Sequence, residues 1–189
     1  METKKETHLR KLLRRRYRYR QVIGVAFLVT LVGMANPAQP TLAAGIGMIL
    51  LGAAVRLWAS GHIHKDSALA TTGPYAFVRH PLYLGNCLLA TGFCLAAGQP
   101  WAIAVWAAIL WLFYLPAIKR EDEKLHKRFG REWEEWRSTT PAIIPFHWPG
   151  FERGLRKANW SISQSLHNGE PVWTLLMLAG IALTYVRLV

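Results

Sequence analysis

Charge in this 189-residue chain comes in blocks. Residues 1–20, 61–80 and 119–157 hold nearly all of it. Between and after them run five apolar segments: 22–35, 41–60, 81–98, 101–118 and 172–189. Their only charged residues are Arg56 and Arg187, each near the end of its segment. A helix needs about 20 apolar residues to cross the hydrocarbon core. In lipid the backbone must satisfy its own hydrogen bonds, which selects helices for segments of this kind. The pattern predicts an all-α, integral-membrane helical bundle of about five transmembrane helices, with the polar blocks as cytoplasmic loops. The first segment is short and must begin within the basic tail, with Tyr17 and Tyr19 at the interface.

The order follows from the punctuation. Residues 1–20 form a basic tail. Residues 21–60 form a helical hairpin, turned by Asn36-Pro37-Ala38-Gln39-Pro40, whose two prolines end the first arm. Residues 61–150 hold two further membrane helices and most of the polar sequence, 151–171 read as a polar linker, and 172–189 form a last membrane helix. The turns at 36–40 and 98–100 carry no Lys or Arg. Basic residues collect on the cytoplasmic side, so the N-terminus is expected in the cytoplasm and the C-terminus outside. No small-residue cleavage site follows the basic tail in the manner of a signal peptide. A bacterial inner membrane suits the sequence.

The chain has 23 Lys and Arg against 11 Asp and Glu, a net charge of +12. The topology assigns that excess to anionic lipid headgroups rather than to nucleic acid. With 52 % apolar and 18 % charged residues, intrinsic disorder is excluded. Cys87 and Cys94 lie two turns apart on one helix face, about 10 Å from each other and beyond disulfide reach. His62-x-His64 lacks a third ligand, so no metal site is expected. Neither a Ser-His-Asp pattern nor a phosphate-cradling glycine loop is present.

Two segments concentrate chemistry. Residues 73–83 place Tyr75, Arg79, His80 and Tyr83 where a loop enters a membrane helix at Pro81. Helix-start amides receive anions, and Arg79 strengthens that potential; interfacial anchoring explains the same residues equally well. Residues 119–137, read as one helix, put Leu125, Phe129, Trp133 and Trp136 on one apolar stripe, and Glu121 falls on that stripe too. A carboxylate there requires a partner, either a cationic ligand or a neighbour such as Arg120, Lys124 or Arg128.

Taken in order, Gly73-Pro74-Tyr75, Arg79-His80-Pro81-Leu82-Tyr83, Glu121-Asp122, Leu125, Phe129-Gly130, Trp133, Trp136, Pro141 and Ile144-Pro145 resemble the isoprenylcysteine carboxyl methyltransferase and phospholipid methyltransferase superfamily. The resemblance spans residues 61–146. It implies an S-adenosyl-L-methionine-dependent methyltransferase of the membrane. Cofactor-binding positions carried over are Ser67, Ala68, Leu69 and Ala70, then Tyr75, the box His80, Pro81, Leu82 and Tyr83, and the acid Glu121. Arg79 and Glu121 are the expected catalytic residues. The family's prenylcysteine enzymes have a substrate-binding Arg one turn before the Glu; here that position is Ala117, and Arg120 is the expected substitute. The implied partner is a lipidic acceptor, methylated on a carboxylate or, alternatively, on an aminolipid nitrogen. An NADPH-dependent reductase of the sterol-reductase type and a non-catalytic membrane protein are the readings from other classes.

Overall fold

The computed structural model describes residues 22–36, 38–63, 68–145 and 160–186. They are helical throughout, with no strand among the described residues. The first helix is α1 (Val22–Gly33). It is followed by α2 (Gln39–Ser60), a 3-10 turn (Gly73–Ala76), α3 (Pro81–Ala97), α4 (Pro100–Ile109), α5 (Leu115–Phe129), α6 (Arg131–Thr139), α7 (Ile162–His167) and α8 (Glu170–Val186). One turn of π-helix, Leu110–Tyr114, joins α4 to α5 and makes them a single rod of 30 residues. Helix α2 and this rod are long and apolar enough to cross a membrane. Helices α1 and α3 and the 174–186 part of α8 are shorter apolar helices. The basic tail, with Tyr17 and Tyr19, lies outside the described residues, as does Pro37 of the hairpin turn.

The apolar helices are apolar all round, as lipid requires. Leu50, Leu51, Ile103, Trp111, Leu175 and Leu178 face outward, while Phe27, Leu31, Ile49, Phe93 and Trp106 fill the core. The centre is the pair α2 and α3, whose backbones touch. A Cβ on Gly52 would stand 2.8 Å from the Gly85 carbonyl, and one on Gly45 would stand 2.6 Å from that of Gly92. Without a hydrophobic drive between helices in lipid, such close backbone approach is what holds them together. The far ends are tied by hydrogen bonds from the Asn36 amide to the Ala97 carbonyl (2.9 Å) and from the Gln99 side-chain amide to the Met34 carbonyl (2.6 Å). Cys87 and Cys94 are both free thiols on α3.

Two sequence expectations are corrected. Residues 119–137 do not form one helix. Gly130 takes φ +50°, a conformation that strains any residue with a Cβ, and the chain turns there from α5 into α6. The apolar stripe stays together across that turn: buried Trp133 and Trp136 of α6 form one cluster with Leu125 and Phe129 of α5. The stretch read as a polar linker is structured where it is described. Trp160 covers Gly61 so closely that a Cβ there would run into the indole. The Ser161 backbone amide donates to the Gly61 carbonyl (3.1 Å), the Ser60 and Ser165 hydroxyls share a bond of 2.7 Å, and the Asn168 side-chain Nδ2 donates to the Ser60 carbonyl (2.8 Å). These bonds clamp α7 and the start of α8 onto the last turn of α2.

Candidate active site

The polar end of α3 begins with local constraint. Pro81 occupies the first helical turn, where no backbone donor is lost. The preceding His80 is kept out of the helical region, at φ −125°. Its amide and that of Arg79 are therefore free to pair outside the helix, with the carbonyls of Ala142 (2.9 Å) and Pro141 (2.8 Å). The terminal proline segment thus pins the box from one side. The 3-10 turn is pinned from another, because the Trp136 indole donates to the Tyr75 carbonyl (3.1 Å).

Asp122 organises the side chains. It accepts from Arg79 Nη2 at 2.8 Å and from His80 Nε2 at 2.9 Å, while Arg79 Nη1 donates to the Thr140 carbonyl at 2.8 Å. Burial acts to raise the Asp122 carboxyl, but bonds from His80 and Arg79, with their charge, outweigh it and hold its pKa below the ordinary value. Tyr75 moves the other way. Burial first, then the negative charges of Glu121 and Glu170, push its phenol well above 10, so it stays protonated and able to donate.

These groups open on one cavity of about 890 Å³. Its polar end holds Ala68, Leu69, Ala70, Tyr75, Arg79, His80, Pro81, Leu82, Tyr83 and Glu121, together with Leu125, Arg128, Phe129 and Trp136. It then runs between α1, α3 and α8, past Val25, Leu28, Leu89, Phe93, Met177, Gly180 and Leu183. An aromatic ladder accompanies it: ring centroids of His80 and Tyr83 are 5.7 Å apart, those of Tyr83 and Tyr114 5.9 Å, and those of Tyr114 and Trp106 5.3 Å.

Of the residues singled out in the sequence, Arg120 does not line this cavity, and Ser67 lies outside the described residues. Glu121 is corrected in one respect: it is exposed, not buried, although Leu125 and Phe129 of the same helix pack against Trp133 and Trp136. The shielded acid is its neighbour Asp122. Arg79 reaches the cavity wall, yet its donors are engaged by Asp122 and Thr140.

Sequence reasoning missed a second polar cluster. Arg56 on α2 donates to Glu170 through Nη2 (2.6 Å) and Nε (3.3 Å), and to the Asn86 side-chain carbonyl. Arg56 and Asn86 line the cavity between its polar and apolar halves. The signal was present: a lone arginine in an apolar segment demands a partner. His62 is spent locally, its Nδ1 paired with the Trp58 carbonyl at 2.8 Å; His64 lies outside the described residues. Among the described residues no group of three or more His, Cys, Asp or Glu is placed to hold a metal ion.

The polar end suits S-adenosyl-L-methionine. A cation needs a carboxylate or aromatic faces, which Glu121, Tyr75 and Tyr83 offer. A nucleobase needs an apolar or aromatic surface, offered by Leu125, Phe129 and Trp136. The amino-acid carboxylate needs a cation, and Arg128 lies on the same wall.

The phospholipid methyltransferase family profile matches residues 40–132. The nickel-cobalt-cadmium resistance protein NccN of Alcaligenes xylosoxydans xylosoxydans is 26 % identical, with 78 % of each chain covered. A protein-S-isoprenylcysteine O-methyltransferase of Schizosaccharomyces pombe is 35 % identical over 43 % of this chain and 35 % of its own. The cobalt-zinc-cadmium resistance protein CzcN of Cupriavidus metallidurans is 32 % identical over 69 % of this chain and 51 % of its own. The chain thus spans only about a third to a half of the length of the last two relatives. No solved structure matches. The match to the family profile and the matches to isoprenylcysteine methyltransferases agree with the helical architecture: over about half of its length the chain is similar to the isoprenylcysteine carboxyl methyltransferase and phospholipid methyltransferase superfamily.

Proposed function

We propose that the chain is an S-adenosyl-L-methionine-dependent methyltransferase acting on a lipidic carboxylate, embedded by five helices with its N-terminus in the cytoplasm and its C-terminus outside. The observation that carries this is one continuous cavity with a polar end around Glu121, Tyr75 and His80 and an apolar end between three membrane helices. A water-soluble donor and a membrane-dissolved acceptor can meet only in a space of that kind. The family's metal-resistance relatives add nothing about this chain's acceptor.

Bound S-adenosyl-L-methionine would supply an electrophilic methyl group for an in-line displacement. The protein's task is then alignment more than bond-breaking. Glu121 and the rings of Tyr75 and Tyr83 hold a cation, and Ala68, Leu69, Ala70 and Leu82 shape the surface beside them. Asp122 fixes the His80 ring and the Arg79 guanidinium, so both are positioned before anything binds. Arg79 presents positive charge to an anionic acceptor head through that held geometry. A carboxylate acceptor needs no base.

A second reading is N-methylation of an aminolipid. It is favoured by the phospholipid methyltransferase profile and by Ala117, which leaves no guanidinium one turn before Glu121. An amine must lose a proton, and His80, held by Asp122, is the group placed to take it.

Isothermal titration of S-adenosyl-L-methionine into detergent-solubilised protein tests the donor. A charge-assisted contact contributes about 1.5–3 kcal/mol, so Glu121→Gln is expected to weaken binding roughly tenfold to a hundredfold. Folded wild-type protein that binds NADPH instead, or neither nucleotide, would overturn the reading. Radiolabelled methyl transfer into a lipid extract then separates base-labile esters from stable N-methyl products.

A further inference from the structure

We propose that Gly180 on α8 and Phe93 on α3 form a gauge for the hydrocarbon tail of the acceptor, setting the chain length the chamber admits. The inference rests on the methyltransferase reading for the identity of the head group, but the gauge itself is a property of the apolar chamber.

Both residues line the cavity, and they meet across it. A Cβ placed on Gly180 would stand 2.9 Å from Phe93 Cε1 and 3.0 Å from Cζ, so the ring fills the space that a larger residue would need. Phe93 lies thirteen residues along α3 from His80, about 20 Å of helix rise, and Gly180 lies ten residues along α8 from Glu170, about 15 Å. Above the pair, Arg56 and Asn86 mark the end of the polar half. Asn86 and Phe93 are seven residues apart, about 10 Å, and the wall between them is Leu89 and Ala90 with Met177 facing. A tail lying there has only hydrocarbon to touch.

The walls of this chamber are set, not loose. Phe93 is buried, and Trp106 is fixed by its indole bond to the Thr91 hydroxyl (3.2 Å). Helix α8 is seated at its start by the Arg56–Glu170 pair. It also lies beyond residues 40–132, the part that matches the family profile. One half of the gauge, Gly180, is therefore supplied from outside the matched segment and the other, Phe93, from within it.

The test uses full-length protein in detergent and radiolabelled N-acetylcysteine thioethers bearing decyl, tetradecyl or octadecyl chains. Equilibrium binding is measured for the wild type, Gly180→Val and Phe93→Leu, each checked by its melting temperature. One or two methylenes in an apolar pocket discriminate by roughly tenfold or more. Gly180→Val is thus expected to lose at least about tenfold in octadecyl affinity relative to decyl. Phe93→Leu, which shortens the opposing side chain, is expected to shift preference toward octadecyl. S-adenosyl-L-methionine affinity stays unchanged in both. Failure of the wild type to bind any of the three, equal binding of all three, or a parallel change for all lengths in both variants overturns the gauge. Length-dependent binding without methyl transfer to any acceptor overturns the methyltransferase reading and leaves the gauge standing.

Discussion

Removing the Glu170 carboxylate is the sharpest perturbation of this fold. Its oxygens accept two bonds from the Arg56 guanidinium, at 2.6 and 3.3 Å, and the two side chains are only 10 % and 6 % exposed. Glu170→Ala leaves the cation in place with one acceptor fewer and little water to replace it. Breaking a buried pair from one side costs about 3–5 kcal/mol, roughly two to nearly four powers of ten in the unfolding equilibrium. Removing both charges is different, because the desolvation penalty disappears with them. Arg56→Met combined with Glu170→Leu is expected within about 1 kcal/mol of wild type, or more stable. Reversible unfolding in mixed micelles, run as a double-mutant cycle, measures both numbers. A loss below about 1 kcal/mol for Glu170→Ala would show that the pair is not shielded and that α8 is seated by something else.

Three further outcomes follow from the site and the helix contacts. Asp122→Asn removes the charge that holds His80 and Arg79, and a charge-assisted bond is worth about 1.5–3 kcal/mol. Methyl transfer is expected to fall at least tenfold while the melting temperature drops by a few degrees, measured by turnover and by thermal melts. The same variant reports pH dependence. Because the folded Asp122 pKa is lowered, its contribution is fully present above the ordinary value of 3.8 and is lost only as pH falls through the lower folded value. The stability gap between wild type and Asp122→Asn should therefore stay constant down to 3.8 and narrow below it; narrowing already between neutral and mildly acidic pH would contradict the assignment. Gly52→Ala puts a Cβ 2.8 Å from the Gly85 carbonyl and is expected to cost about 1–3 kcal/mol or more. Gly24→Ala, which meets nothing within 4 Å, should be close to neutral in the same unfolding assay.

Much of the site could be read from residue order. Tyr75, Arg79, His80, Tyr83 and Glu121 all reach one cavity, because a proline-initiated helix and the rod ending in α5 bring their polar ends together. What could not be read was which acid is shielded. Helical periodicity places Glu121 and Asp122 only one step apart. The difference between them came from the tertiary fold, which brings Arg79 and His80 onto Asp122 and leaves Glu121 exposed beside the cavity. Residues 160–168 were misread for the opposite reason. Their polarity suggested a solvated linker, whereas they spend it on carbonyls and hydroxyls at the end of α2.

Composition and spacing alone determined that this chain is helical and carries segments apolar enough for a membrane, because in lipid the backbone has to satisfy its own hydrogen bonds. They also gathered the candidate site residues at the polar ends of those segments, where charge stays hydrated. The partners were decided by tertiary structure. That Arg56 finds Glu170 114 residues away, that Asp122 rather than Glu121 takes His80 and Arg79, and that α8 closes the apolar chamber all depend on contacts between distant segments. The sequence states that a lone buried charge must be neutralised; only the packing of helices fixes which group does it.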